Sequence, residues 1–171
     1  MPLWLTLLIG AAVLAAALYL YIRHILRRRD LIRRPREEVY DGGLKRALLI
    51  YQPSDRGRTA SLVQALARAL VRAGHTVTVN FPSPLLDYDP MDYDLLVFGG
   101  SVYMGEVARP LKDYLSSLRF RGRQVLLFAV GDLDRSPELA SLRLCVPAGN
   151  QVRSIKVKPG EAALLCQSAL G

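Results

Sequence analysis

Between Gln52 and Thr59 the chain reads Gln-Pro-Ser-Asp-Arg-Gly-Arg-Thr, a polar stretch broken by a proline and a glycine. Small hydroxylated residues around a glycine, just ahead of a helix, suit an anion. Backbone N–H groups of such a turn converge on one point, and the helix dipole adds ~+0.5 of an elementary charge. Ser54 and Thr59 add hydroxyl donors, and Gly57 lets a ligand approach the backbone closely. Arg56 and Arg58 raise the local positive potential. The plainer reading is a strand-to-helix turn with Thr59 as its N-cap.

A second group is Gly99-Gly100-Ser101-Val102-Tyr103-Met104-Gly105. A tyrosine among small residues at the end of a strand presents an aromatic face to a planar ligand. The alternative is a surface tyrosine packed on its neighbours. Gly131, Asp132 and Asp134 form a third polar group further on. Other chemistries find little footing. His24 lies in a basic run and His75 begins an apolar segment, so neither is placed as a general base, and no nucleophile triad or metal cluster can be assembled. Cys145 and Cys166 make no metal or redox spacing and read as buried free thiols.

Apolar runs alternating with helical patterns must position these groups. Ala47–Tyr51 is a short apolar run, as in a strand covered on both faces. Thr59–Ala73 is helical in pattern, with Leu62, Ala65, Leu66, Ala69 and Leu70 on one stripe and Gly74 as its stop. His75–Phe81 predicts a second strand and Asp94–Gly99 a third. Residues 100–105 predict a loop, and Glu106–Leu118 a helix with Pro110 in its first turn. Arg123–Val130 predicts a fourth strand. Beyond it, Ser136–Leu144 predicts a short helix, Ile155–Val157 an edge-like fifth strand and Gly160–Leu170 a final helix. Such alternation implies βαβ crossovers and a parallel sheet between helices. The three polar groups then gather at the carboxyl ends of the strands, where open parallel sheets bind ligands.

The N-terminus is of another kind. Met1 to Ile22 carry no charge, and seven Arg come within residues 23–36. About 20 apolar helical residues span a bilayer core, and Trp4, Tyr19 and Tyr21 stand where amphipathic rings prefer the headgroups. Residues 1–22 therefore predict a transmembrane helix, in preference to a signal peptide, which starts with a basic region. The arginines place the remainder of the chain in the cytoplasm. With one Asp among them, residues 23–36 hold +6 of the formal net charge of +8, leaving +2 elsewhere. This basic segment attracts anionic headgroups; nucleic acid is disfavoured, because no aromatic interleaving or recognition motif accompanies it. Residues 23–43 read as juxtamembrane segment and linker, and 44–171 as one small domain.

Tyr51-x-x-Ser54-x-x-Gly57-x-Thr59 resembles the phosphate loop of the flavodoxin family. Asp94–Gly105 followed by Pro110-Leu-Lys-Asp-Tyr-Leu115 resembles its third strand, flavin-ring loop and next helix, and Val125–Gly131 its fourth strand. The likeness spans about Lys45–Asp132, with a looser echo to Gly160, and is greatest toward short single-domain members that include quinone-linked protoporphyrinogen oxidases. It implies a doubly wound parallel sheet of order 2-1-3-4-5 with FMN as cofactor. On that likeness Ser54, Asp55, Arg56, Gly57, Arg58 and Thr59 hold the phosphate. Ser101, Val102, Tyr103, Met104 and Gly105 line the isoalloxazine, with Gly131 and Asp132 on its other side. Arg56 and Arg58 depart from the pattern, which has a hydroxyl residue and an Asn there. The expectation is a single-pass cell-membrane protein carrying electrons by FMN to or from a redox protein or a quinone. A membrane-tethered binding or scaffold module that has lost FMN is the alternative.

Overall fold

The computed structural model describes residues 2–54, 57–132 and 136–171. They form two compact units, Met1–Leu31 and Ile32–Gly171. The first is one helix, α1 (Leu3–Arg29), whose apolar side chains are exposed all round, Leu7, Leu14 and Leu18 among them. Its stretch Trp4–Arg27, 24 residues, is long and apolar enough to cross a bilayer. At ~1.5 Å per residue it measures ~36 Å, against ~30 Å of hydrocarbon. The helix continues past Ile22, the boundary set by charge, because residues such as Leu26 and Arg27 are good helix formers.

The second unit is built on strands β1 (Glu38–Tyr40), β2 (Lys45–Gln52), β3 (His75–Asn80), β4 (Leu95–Tyr103), β5 (Glu106–Val107), β6 (Gln124–Val130) and β7 (Gln151–Val157). Its helices are α2 (Arg58–Arg72), α3 (Arg109–Ser117), α4 (Pro137–Arg143) and α5 (Ala162–Leu170), with a 3₁₀ turn at Pro90–Asp92. The parallel strands run in the order β3-β2-β4-β6-β7, the 2-1-3-4-5 order of a flavodoxin-like sheet. From β2 the chain steps outward to β3 and then crosses to β4 on the other side, so the order reverses between β2 and β4. A crevice opens at the carboxyl ends of strands at such a point.

Both sheet faces are covered, which is why the strands read as unbroken apolar runs. Ala47, Leu49 and Tyr51 of β2 join Val97, Phe128, Leu66 and Leu165 in one buried cluster on the side of α2 and α5. Leu48 and Ile50 point the other way, into a cluster with Phe98, Leu127, Leu111, Leu115 and Leu142 beneath α3 and α4. Each fully buried Leu or Phe contributes roughly 1.5–3 kcal/mol relative to exposure.

Three segments depart from the sequence expectation. Residues 37–43, read as linker, contain β1, which pairs antiparallel with β3; Tyr40 packs against the core and caps an otherwise open edge. Residues 100–105 are no loop: β4 runs on through Tyr103, turns at Met104-Gly105 and returns as β5, delaying α3 to Arg109. Met104 and Gly105 both have positive φ, 52° and 76°, the signature of a two-residue type I′ hairpin whose twist matches the strands. The last strand extends back from Ile155 to Gln151 and pairs with β6 at every residue. Exposed Gln151, Arg153 and Ser154 hid it, because an edge strand tolerates polar side chains. Cys145 and Cys166 are free thiols, half-buried rather than fully buried.

Candidate functional site

The turn after β2 is assembled by local hydrogen bonds. Gly57 N–H donates to the Ser54 carbonyl at 3.1 Å, and Thr59 N–H to Ser54 Oγ at 3.3 Å. Ser54 thus does the capping expected of Thr59, and the N-cap position itself is Gly57, at φ 68°. A left-handed φ favours glycine, and a Cβ there would meet no atom within 4 Å, so the space above the turn is open. Arg58, the first residue of α2, is exposed, whereas Thr59 is fully buried. Asp55 and Arg56 lie outside the described residues.

Thr59 is buried because it faces β4. Its hydroxyl stands 2.6 Å from that of Ser101. Two hydroxyls carry two hydrogens; one makes this bond, and the other remains for a ligand or neighbour. Gly99 and Gly100 bring the backbones of β2, β4 and β6 together: a Cβ on Gly99 would lie 2.3 Å from the Phe128 ring and carbonyl.

On the far side, Gly131 N–H donates to the Val157 carbonyl at 3.1 Å. The Cβ position of Gly131 lies 3.5 Å from Val102 Cβ and 3.4 Å from Lys156 Cε. The structure therefore gathers Thr59 with Ser101 and Val102 with Gly131 at one edge. Ser101, Val102 and Tyr103 are half-buried; Met104, Gly105 and Asp132 are exposed. Asp134 lies outside the described residues.

Sequence reasoning missed the charged pair beneath Gly131. Lys156 Nζ lies 2.6 Å from Glu138 Oε1, with side chains 12% and 1% exposed. Ile155-Lys156-Val157 held the signal: in a sheet covered on both faces, a lysine within an apolar triplet needs a buried partner.

Tyr51 closes the edge beside β3, its ring edge-on to Phe81 at 5.3 Å. Burial, with Glu38 and Tyr40 adding, pushes its phenol up to about 12, while Arg36 and Arg33 pull it back. Arg36 N–H donates to Asn80 Oδ1 at 2.7 Å, Asn80 Nδ2 to the Tyr88 hydroxyl at 2.9 Å, and the Tyr88 hydroxyl to Glu37.

The donor set fits a phosphate monoester with a planar group attached. A glycine-headed 15-residue helix offers the dipole and an open cradle, hydroxyls converge from two elements, and an aromatic residue ends β4. By fold and edge this is a doubly wound α/β protein with its crevice between β2 and β4. The chain belongs to the flavodoxin domain family, whose sequence profile matches residues 48–162. A flavodoxin of Streptococcus pneumoniae TIGR4 superposes with a TM-score of 0.56 at 18% identity, over 72% of this chain and 94% of that one. Flavodoxin 2 of Bacillus cereus gives 0.54 at 19%, over 72% and 92%. A Lactobacillus acidophilus NCFM flavoprotein in complex with FMN gives 0.54 at 14%, over 72% and 98%. Among curated proteins, none matches by sequence.

Proposed function

We propose that this chain is a membrane-anchored FMN protein of electron transfer, its domain on the cytoplasmic side of the cell membrane and its partner a redox protein or quinone. The observation that carries the reading is the open Gly57 cradle at the head of α2, tied by the Thr59–Ser101 bond to the end of β4. Ser54, Gly57, Arg58 and Thr59 would hold the phosphate, and the Arg58 guanidinium is free to swing onto it from solvent. Ser101, Val102, Tyr103, Met104 and Gly105 would line one side of the ring system, Gly131 and Asp132 the other. Bound flavin supplies the redox chemistry. The packed carboxyl ends of β2, β4 and β6 would exclude water from the side of the ring that faces the sheet. Support for the anchor is the length and composition of α1, followed by arginines as cytoplasmic flanks are.

Full-length protein purified in detergent should be yellow and retain flavin through gel filtration, with Tyr103→Ala weakening retention. Colourless protein that ignores added FMN in a fluorescence titration would refute this reading. That outcome would favour the second one, a flavodoxin-fold binding module without cofactor, for which the observation is Arg58 standing bare at the cradle.

A further inference from the structure

The direction of β1 says where the chain joins the sheet. β1 is antiparallel to β3, with Glu38 opposite Val79 and Tyr40 opposite Val77. Its first residue therefore sits at the carboxyl end of the parallel strands, the edge that holds the candidate site. Two contacts fix that junction: Arg36 N–H on Asn80 Oδ1, and Tyr88 on Glu37. The unit's leading segment, Ile32–Glu37, thus leaves the sheet from the site edge rather than from the amino edge. Arg33 and Arg36 act electrostatically on Tyr51, next to the last residue of β2.

The surface there has the chemistry of a membrane-contacting face. Arg34, Arg36 and Arg58 are exposed; Glu37 is engaged by Tyr88 and Glu38 by Tyr40 and Arg36, which leaves Asp87 and Asp132 as exposed acids near this edge. Ile32, two residues before Arg34, and Leu85, in the connection that follows β3, expose 59% and 80% of their surface. Exposed leucine and isoleucine among arginines suit an anionic headgroup layer, into which the apolar chains dip while guanidinium groups hold phosphates.

We infer that the carboxyl edge of the sheet, with the candidate cofactor site in it, is a docking surface for an anionic phospholipid bilayer. This rests on the reading of α1 as a membrane anchor. A partner would then reach the site along the membrane plane, which suits a lipid-soluble or membrane-embedded redox partner over a freely soluble one.

The test uses the full chain in vesicles, with fluorophores on single cysteines in a Cys145→Ser/Cys166→Ser background. Leu85→Cys, in the connection leaving β3, marks the carboxyl edge and Leu44→Cys, fully exposed just before β2, the amino edge. Asp132→Cys and Arg121→Cys, after and before β6, form a second pair far from the tether. A seven-residue strand separates the edges by ~23 Å, so a nitroxide on the lipid headgroup discriminates them. In phosphatidylglycerol–phosphatidylcholine vesicles, quenching at positions 85 and 132 should exceed that at 44 and 121 several-fold. Charge reversal at Arg34 and Arg36, or pure phosphatidylcholine, should narrow the ratio. Equal quenching of both edges, or stronger quenching at 44 and 121, overturns the inference while leaving the anchor standing. Protein that does not float with vesicles overturns both. None of these readouts requires flavin, so they stand apart from the FMN titration.

Discussion

The side-chain hydroxyls of Thr59 and Ser101 stand 2.6 Å apart and join the first turn of α2 to the end of β4. Thr59 is wholly buried and Ser101 half-buried, so removing Ser101 strands the Thr59 hydroxyl, whereas Ser101 left alone can turn to water. Ser101→Ala should lower stability by about 1–3 kcal/mol, the penalty for an unpaired buried group. Thr59→Val keeps the shape and should cost less, and the double variant should fall short of the sum, since no hydroxyl is then stranded. Urea unfolding of the four proteins checks this; strictly additive losses would count against the coupling.

Gly57 and Gly99 make opposite demands. At Gly57 the φ of 68° disfavours a side chain, yet its Cβ position is empty. Gly57→Ala should therefore cost only the left-handed strain, about 1–2 kcal/mol, and thermal unfolding should show a modest drop in Tm. At Gly99 a Cβ would sit 2.3 Å from the Phe128 ring and, more seriously, from its backbone oxygen. A ring can rotate aside but a central strand cannot, so Gly99→Ala should lose more than about 3 kcal/mol. Soluble expression with normal Tm would contradict that.

The parallel sheet was legible because its signal is coarse: Ala47–Tyr51, Asp94–Gly99 and Arg123–Val130 are apolar runs that suit strands covered on both faces. The hidden elements are short or polar. β1 has three residues and β5 two, too few for a period to register. β7 is half polar because it lies at an edge. The Ser54–Gly57–Thr59 turn was legible in its residue types, but not in its roles. No pattern tells that Ser54 caps the turn while Thr59 turns inward to Ser101. Likewise Tyr103 was placed in a loop because the strand continues past two glycines, Gly99 and Gly100, that would usually end one.

Glu138 and Lys156 form a buried ion pair under Gly131. Lys156→Met should cost roughly 3–5 kcal/mol, because it leaves the Glu138 carboxylate without that cation in a place water does not reach, and Glu138→Leu should cost less. The double variant should recover most of that loss, apolar replacements being close to neutral at such sites. Equilibrium unfolding at low and high salt gives the measurement. Burial also limits screening, so the single-variant losses should persist in high salt, and a loss that disappears there would mark an exposed pair instead.

Alkaline pH should loosen the domain through Tyr51 and Tyr88. Burial is the largest cause for both phenols and pushes each up to about 12 from the usual 10; Glu38 adds for Tyr51, and the hydrogen bond to Glu37 for Tyr88. The folded chain thus keeps these protons where the unfolded chain has released them. Between pH 10 and 12 the unfolded state binds fewer protons, so stability falls as pH rises and is unaffected by these groups below pH 10. Tyr51→Phe should flatten part of that slope while changing little near neutrality, since the Phe81 contact depends on the ring and not on the hydroxyl. Urea midpoints across pH 9–12, with phenolate absorbance followed in parallel, provide the check. A Tyr51→Phe protein with the parent's full slope would show that this phenol ionises freely in the fold, and that Arg33 and Arg36 offset its burial.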